Sequence, residues 1–179
     1  MTDHTETNNT QANLLCQACG LCCTGHLFIW AKLRPSELNP AEELGMTVFR
    51  TDPRQRGFSQ PCPMWQGQCT IYKSAHYPHS CRAYKCKLLK EMLAEKVSLG
   101  RALLTIEQAK NLIQEVETLL PVSHTRNFRE RLVEYLENSS KQENKNRELQ
   151  VKAEQLMAFY EQVFGVNDLI ETPEDTNER

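Results

Sequence analysis

Eight cysteines are the residues whose type and spacing best predict chemistry, and all of them lie between positions 16 and 86. The densest run is Cys16-x2-Cys19-Gly20-x-Cys22-Cys23. A C-x2-C pair lets two thiolates converge on one metal ion from a tight turn, and Gly20 can supply the positive φ that such a turn often needs. Adding Cys22 gives C-x2-C-x2-C, the spacing with which bacterial ferredoxins bring three thiolates to a [4Fe–4S] cluster.

The adjacent pair Cys22 and Cys23 leaves two readings open. Neighbouring side chains point in different directions, so both rarely bind one mononuclear ion. Either the two thiols belong to different metals, or Cys23 supports the site without binding metal or is redox-active.

A second group of thiols is spread over a longer, turn-rich stretch: Cys62, Cys69, Cys81 and Cys86. Pro61, Pro63 and Gly67 separate them, as if several loops converge on one point. Cys81 lies at the predicted start of a helix, where the helix dipole favours thiolate. Basic residues that would offset thiolate charge, or else form a solvated helix face, lie nearby: Lys73, Arg82, Lys85 and Lys87.

Alternatives to an all-cysteine site are weaker. His26, His76 and His79 lie near thiols and allow a mixed site, although each is more typical of a surface or capping histidine. Free cysteine as a small buried hydrophobe explains one or two thiols, but not four within eight residues. The predicted metal ligands are therefore Cys16, Cys19, Cys22, Cys23, Cys62, Cys69, Cys81 and Cys86.

Composition limits the class of protein. The 179 residues suit one domain or one domain with a helical extension, and 7% aromatic residues predict a mostly aliphatic core. A net charge of -2 gives no basic footprint for nucleic acid or for an anionic membrane. The polar start of the chain has no signal-peptide pattern, which predicts a reducing cytoplasm, where clustered cysteines more often bind metal than form structural disulfides.

Periodicity then indicates the elements that must position the thiols. A short buried segment is predicted at Leu27–Trp30 and a loop over residues 50–63. Between them a short helix is predicted with Ser36 as a possible N-cap, and Asn39-Pro40 either interrupts that helix or starts the one that continues to about Leu44. A helix is predicted from Ser80, as N-cap, to Val97. A capping box at Thr105–Gln108 begins the next helix, which Pro121 stops.

Two further helices are predicted at Thr125–Asn138 and Glu148–Phe164, with Gly165 as C-cap. The fold class is mainly α: an irregular Cys-rich metal-binding half followed by an α-helical half of about three to four helices. The expected organisation is a disordered tail over residues 1–12, the metal-binding domain over 13–104, the helical region over 105–170, and a second disordered tail over 171–179.

The cysteine blocks carry a family resemblance: Cys16-Gln17-Ala18-Cys19-Gly20-Leu21-Cys22-Cys23-Thr24-Gly25, Cys62-Pro63, Cys69-Thr70-Ile71-Tyr72 and Cys81-Arg82-Ala83-Tyr84-Lys85-Cys86. Over about residues 13–105 the chain resembles the CxxCxxCC family, the zinc- or iron-chelating proteins of bacteria. The family often has Arg-Pro between its third and fourth blocks, whereas this chain has Ala75-His76-Tyr77-Pro78-His79.

The same resemblance extends distantly to the Cys-rich region of flagellin lysine N-methylases, which implies an iron–sulfur protein using S-adenosylmethionine. This chain is short, has no Gly-rich nucleotide loop, and has C-x2-C-x2-C-C rather than the C-x3-C-x2-C of radical S-adenosylmethionine enzymes.

Three functions follow as alternatives. The first is a metalloprotein that holds a [4Fe–4S] cluster, which the spacing favours, or Zn²⁺, for electron transfer or structural chelation, with the C-terminal helices as a surface for a protein partner. The second is an iron–sulfur-dependent oxidoreductase or methyl-transfer enzyme. The third is a thiol redox sensor. No catalytic residue is assigned.

Overall fold

A computed structural model of the chain describes residues 4–52, 54–124, 127–139 and 146–166. These residues form two compact units. The helical unit comprises residues 4–19, 85–122, 131–139 and 146–166, and the loop unit comprises residues 20–52, 54–84, 123–124 and 127–130. The predicted tail at 171–179 lies outside the described residues.

Helix dominates the described part of the chain, with 54% of residues helical, seven α-helices and one small sheet. The mainly α prediction is confirmed at that level. The helices are α1 His4–Cys19, α2 Leu38–Glu43, α3 His79–Ala83, α4 Lys87–Leu93, α5 Leu99–Glu117, α6 Phe128–Ser139 and α7 Arg147–Phe159. The prediction of three to four helices for the α-helical half is matched in part: α5, α6 and α7 lie there, but α1 to α4 lie in the half that was expected to be irregular.

The first helix places the densest thiol run differently from the sequence prediction. α1 begins at His4, inside the stretch assigned to a disordered tail, and continues to Cys19. The tight turn predicted between Cys16 and Cys19 is therefore wrong, because these residues form the last turn of a helix. Gly20 follows with φ 70°, so the predicted positive φ is confirmed.

The helix predicted from Ser80 to Val97 is interrupted. Short α3 ends at Ala83, Tyr84 is extended with φ −66° and ψ 131°, and α4 begins only at Lys87 with Cys86 as its N-cap. Ser80 does not cap α3, because its hydroxyl donates to the carbonyl of Lys32 at 2.6 Å.

The capping box predicted at Thr105–Gln108 is also wrong. α5 starts at Leu99, and Ser98 is the N-cap, accepting from the backbone N–H of Arg101 at 3.3 Å. Thr105 lies inside the helix and donates to the carbonyl of Arg101. The helix extends backward because Ala102 continues the buried stripe of α5.

The end of α7 matches the prediction closely. A π-helical turn at Tyr160–Phe164 follows α7, and Gly165 closes it with φ 71°. Only glycine adopts this left-handed conformation without a Cβ penalty, which explains its place as C-cap.

The core of the helical unit is largely aliphatic, as the composition predicts. α5 packs against α1, α4 and α7. The buried side chains include Leu15, Leu89, Met92, Ala102, Ile106, Ala109, Ile113, Val116, Leu132, Leu149, Ala153, Leu156, Tyr160 and Phe164.

The loop unit contains a sheet that the sequence did not predict. Its strands are β1 Trp30–Lys32, β2 Val48–Phe49 and β3 Gly57–Ser59, in the order β1-β3-β2 with antiparallel pairing. β3 lies inside the stretch that was predicted to be loop, so that prediction is wrong at these positions. A Cβ at Gly57 would collide with the carbonyl oxygen of Ala31, which explains glycine in a central strand.

The sheet and α2 enclose a small core in the loop unit. Its buried members are Ala31, Leu33, Ala41, Met46 and Phe58. Cys62 and Cys81 are among the partly buried residues that pack against this core. No helix among the described residues is long and apolar enough to cross a membrane.

Candidate metal centre

Three thiols come together in the helical unit. Cys16 and Cys19 are one turn apart at the end of α1, so their side chains lie on the same face of the helix. Cys16 is an exposed residue at the end of α1. Neighbouring protein atoms nevertheless desolvate its thiol, and the nearby Cys86 and Cys19 thiols add like charge. Together these effects raise the pKa of Cys16 to about 12. We call Cys16, Cys19 and Cys86 the helical-unit thiols.

Cys86 is the N-cap of α4, at a position that was predicted to lie inside a longer helix. Its Sγ accepts from the backbone N–H of Leu89 at 3.5 Å, so the thiol caps α4. Burial raises the pKa of Cys86, while the N–H groups of Leu89 and Leu88 and the charge of Lys90 oppose that rise. The N-terminal amides of α4 thus stabilise a thiolate at this position.

A hairpin-like loop brings two further thiols together in the loop unit. The Trp65 N–H donates to the carbonyl of Cys62 at 3.1 Å, and Trp65 pairs with Cys69 in an isolated antiparallel bridge. Burial raises the pKa of Cys62, and the charge of Cys69 adds to that rise, while amides at Met64 and Trp65 oppose it. Burial likewise raises the pKa of Cys69.

Cys81 joins this pair from α3. Burial first, and then the charges of Cys62, Cys69 and Glu37, raise the pKa of Cys81 to about 12, against the opposing hydrogen bond of Ser80. Cys81 is the third residue of α3, so its predicted place near a helix start is correct.

Glu37 holds the start of α3, a role that no sequence pattern predicts. One carboxylate oxygen of Glu37 accepts from the backbone N–H of His79 at 2.7 Å, and the other accepts from the N–H of Arg34 at 2.7 Å. The carboxylate therefore ties the helix that carries Cys81 to the chain that follows β1.

Tyr77 lies beside the thiols of the loop unit. Its hydroxyl donates to the carbonyl of Cys81 at 3.1 Å, and its ring centroid is 5.0 Å from that of Tyr72. Burial first, then the charges of Cys81, Tyr72, Cys69 and Cys23, raise the pKa of Tyr77.

The basic residues near the thiols have separate roles. The guanidinium of Arg82 lies 5.3 Å from the Tyr77 ring centroid, in a cation–π contact. Lys90 favours the thiolate of Cys86. The expectation that cations offset thiolate charge applies to Lys90, which was not among the residues predicted for it.

The ring of His26 makes other contacts, whereas His76 and His79 form hydrogen bonds through their backbone N–H groups. His26 Nδ1 lies 2.6 Å from the Thr24 hydroxyl, and its ring centroid is 5.0 Å from that of Phe128. The backbone N–H of His76 donates to the Ser74 hydroxyl at 3.1 Å.

The donor chemistry fits a metal that prefers sulfur, although the side chains are not gathered into a closed coordination shell. All eight cysteines are free thiols. Within the described residues, no three His, Cys, Asp or Glu side chains are placed so that they could hold a metal ion. Metal binding at either group therefore requires thiols to turn toward a common point, as expected when ligand closure accompanies metal uptake.

Comparison with known proteins gives no family assignment: no family model, curated protein or solved structure matches this chain. The resemblance to the CxxCxxCC family stays a prediction that rests on the cysteine blocks.

Proposed function

We propose that this protein binds a transition metal through cysteine thiolates, as a [4Fe–4S] cluster or as Zn²⁺, in the bacterial cytoplasm. One observation carries the proposal: thiols far apart in sequence lie near one another, as Cys62 and Cys81 do where both pack against the same core cluster of the loop unit. The charge of Cys86 raises the pKa of the Cys16 thiol, and the charge of Cys62 raises the pKa of the Cys81 thiol. The role we favour is electron transfer or structural chelation.

Electrostatics supports a bound cation. When several thiols in a partly buried group ionise, the negative thiolates repel one another. A bound metal ion removes this repulsion because its positive charge offsets theirs. Thiolate is the soft ligand that zinc and iron–sulfur clusters prefer. A purely structural role for so many grouped, unbridged cysteines has no comparable advantage.

The spacing supports iron over zinc. C-x2-C-x2-C in Cys16–Cys22 is the ferredoxin pattern, in which the fourth thiolate comes from elsewhere in the chain. Cys86 interacts with Cys16 and is a candidate for such a distant ligand. The predicted partner surface on the C-terminal helices stays a prediction.

Anaerobic purification followed by a visible spectrum, metal analysis and sulfide analysis tests the proposal. Iron and sulfide in equal amounts with a broad absorption band establish a cluster, and a colourless protein with stoichiometric zinc establishes a zinc site. A protein that carries no metal when purified without air, and that keeps its fold in a strong chelator, contradicts the proposal.

Aerobic purification of the same protein is the matched control. A cluster is lost in air with release of iron and sulfide, whereas zinc remains bound. If the anaerobic and aerobic proteins are both metal-free and differ only in reversible disulfides, the redox-sensor alternative replaces the metal site.

A further inference from the structure

Cys16 and Cys19 lie at the end of α1 that is electrostatically unfavourable for thiolate. The last turn of a helix has carbonyl groups without a partner in the helix, and these give its C-terminus a partial negative charge. Thiolates are stabilised at the opposite end, where the helix dipole is positive. α1 has no basic residue in its last turn. A favourable charge at this turn must therefore come from another element.

Lys110 of α5 supplies that charge. Its Nζ donates to the carbonyl of Ala18 at 3.1 Å, although the two residues are 92 positions apart in sequence. Ala18 lies in the last turn of α1, between Cys16 and Cys19, so its carbonyl is one of those that the helix itself leaves without a partner. The ammonium of Lys110 therefore satisfies an end carbonyl and places positive charge at the turn that carries both thiols.

Apolar packing between the two helices fixes where Lys110 reaches. α1 packs against α5, and Ala12 and Leu15 of α1 are buried. On α5, the neighbouring Ala109 is fully buried, and Ile113 is buried one turn after Lys110. The lysine thus adds a polar contact to an apolar helix pair, at the end of α1 from which the thiols project.

We propose that Lys110 is a positioning residue for Cys16 and Cys19, and that its ammonium holds the last turn of α1 in place. The residues involved all belong to the helical unit. The inference rests on the proposed thiolate-metal function for the use of these two thiols, and it adds to their site a residue from outside the cysteine blocks.

Hydrogen exchange of the metal-free protein tests whether Lys110 holds the turn. Lys110→Met removes the ammonium and keeps an unbranched side chain, so the amide of Cys19 is expected to exchange about 2- to 10-fold faster, the effect of losing one hydrogen bond. Lys110→Arg keeps a charged donor and is expected to restore most of the protection. An unchanged exchange rate at Cys19 in Lys110→Met overturns the proposal.

Lys152 provides a matched control on the same helix. Its Nζ donates to Oε2 of Glu115 at 2.6 Å, so Lys152→Met also removes one lysine contact of α5, but the contact joins α5 to α7. The amide of Cys19 is expected to exchange at the wild-type rate in Lys152→Met. Equal acceleration at Cys19 in Lys110→Met and Lys152→Met would show a general loosening of α5 and would overturn a specific role for Lys110.

Zinc retention separates a role through the thiols from a general effect on stability. Zinc-loaded Lys110→Met is expected to release metal to a chelator about 2- to 10-fold faster than wild type, with Lys110→Arg close to wild type. The same comparison in a Cys16→Ser/Cys19→Ser background is expected to show no difference, because α1 then carries no thiol for Lys110 to position. A difference that persists in this background overturns the positioning role.

Failure of the proposed function gives a different result. A wild-type protein that takes up neither zinc nor iron contradicts thiolate–metal binding, whereas the hydrogen-exchange comparison of Lys110→Met, Lys110→Arg and Lys152→Met still decides whether Lys110 holds the turn of Cys16 and Cys19.

Discussion

Glycine is required at position 20, within the Cys16–Cys23 run, for two reasons: its backbone conformation and its contact with Trp65. Its φ of 70° lies in the left-handed region, and its α-carbon lies against the Trp65 indole. We expect Gly20→Ala to destabilise the protein by about 1–2 kcal/mol through backbone strain and by about 1–3 kcal/mol more through overpacking. Chemical denaturation measures the loss of free energy, and metal analysis is expected to show reduced loading.

Gly45 provides a matched control for that change. It has φ 84° and open space where a Cβ would stand. Gly45→Ala should therefore show only the strain component, about 1–2 kcal/mol, with full metal loading. If Gly20→Ala and Gly45→Ala lower the free energy of unfolding equally, the close contact with Trp65 makes no contribution to the effect at Gly20.

Glu37 is the residue whose carboxylate positions Cys81 through the start of α3. Glu37→Ala removes both acceptors of the His79 and Arg34 amides, so we expect a loss of about 1–3 kcal/mol in stability and weaker metal retention against a chelator. Glu37→Gln keeps one amide oxygen and should recover part of both properties.

The control for Glu37 is Glu42, which makes an exposed ion pair with Arg50 at 2.7 Å. Glu42→Ala should cost less than about 1 kcal/mol, because exposed ion pairs contribute little. Chelator competition that gives the same metal retention for Glu37→Ala, Glu42→Ala and wild type would remove Glu37 from a positioning role.

At the scale of elements, Cys86 has two roles: its side chain caps the start of α4, and its thiolate is a proposed metal ligand. Serine is a good N-cap and alanine is not, so Cys86→Ser should keep the helix end while Cys86→Ala loses about 1 kcal/mol. Both changes remove the thiolate. Denaturation of the metal-free proteins should therefore separate the two variants, while metal analysis should show the same deficit in each. Equal stabilities in the metal-free state would contradict the capping role.

The same region shows why the sequence predicted one helix where there are two. Leu88, Leu89 and Met92 have helical periodicity, and the structure buries all three. The interruption comes from Tyr84, whose ring packs edge-on against Phe28 at 5.2 Å with its backbone extended. A partner more than fifty positions away is invisible to local periodicity, so only the helix after the break could be predicted correctly.

The start of α5 and the sheet were missed for different physical reasons. Ser98 and Thr105 both have the side-chain chemistry of an N-cap, and burial of Ala102 decides between them. The strands are two or three residues long, too short to show alternation. The positive φ of Gly20 and of Gly165 was predictable, because glycine is the residue that adopts it without strain.

At the scale of the whole molecule, the two units differ in how much apolar surface they bury. Of the twenty-seven buried apolar residues that the structure describes, eighteen lie in the helical unit and nine in the loop unit, where five of them form one cluster beside the three-stranded sheet. A small core of this kind commonly needs a metal to reach a stable fold. Much of the loop unit's backbone is irregular, and its hydrogen bonds link turns rather than long helices.

We therefore expect metal removal to affect the two units unequally. Hydrogen exchange of the metal-free protein should lose protection at loop-unit amides such as those of Cys62 and Gln60, which donate to Cys23 and Ile29. Amides in the middle of α5 should keep most of their protection, because α5 packs against α7 through buried apolar side chains that need no metal. Zinc or reconstituted cluster should restore the lost protection. Uniform loss across α5 and the loop unit would show that metal stabilises the chain as one cooperative unit, and unchanged exchange throughout would show that the loop unit folds without it.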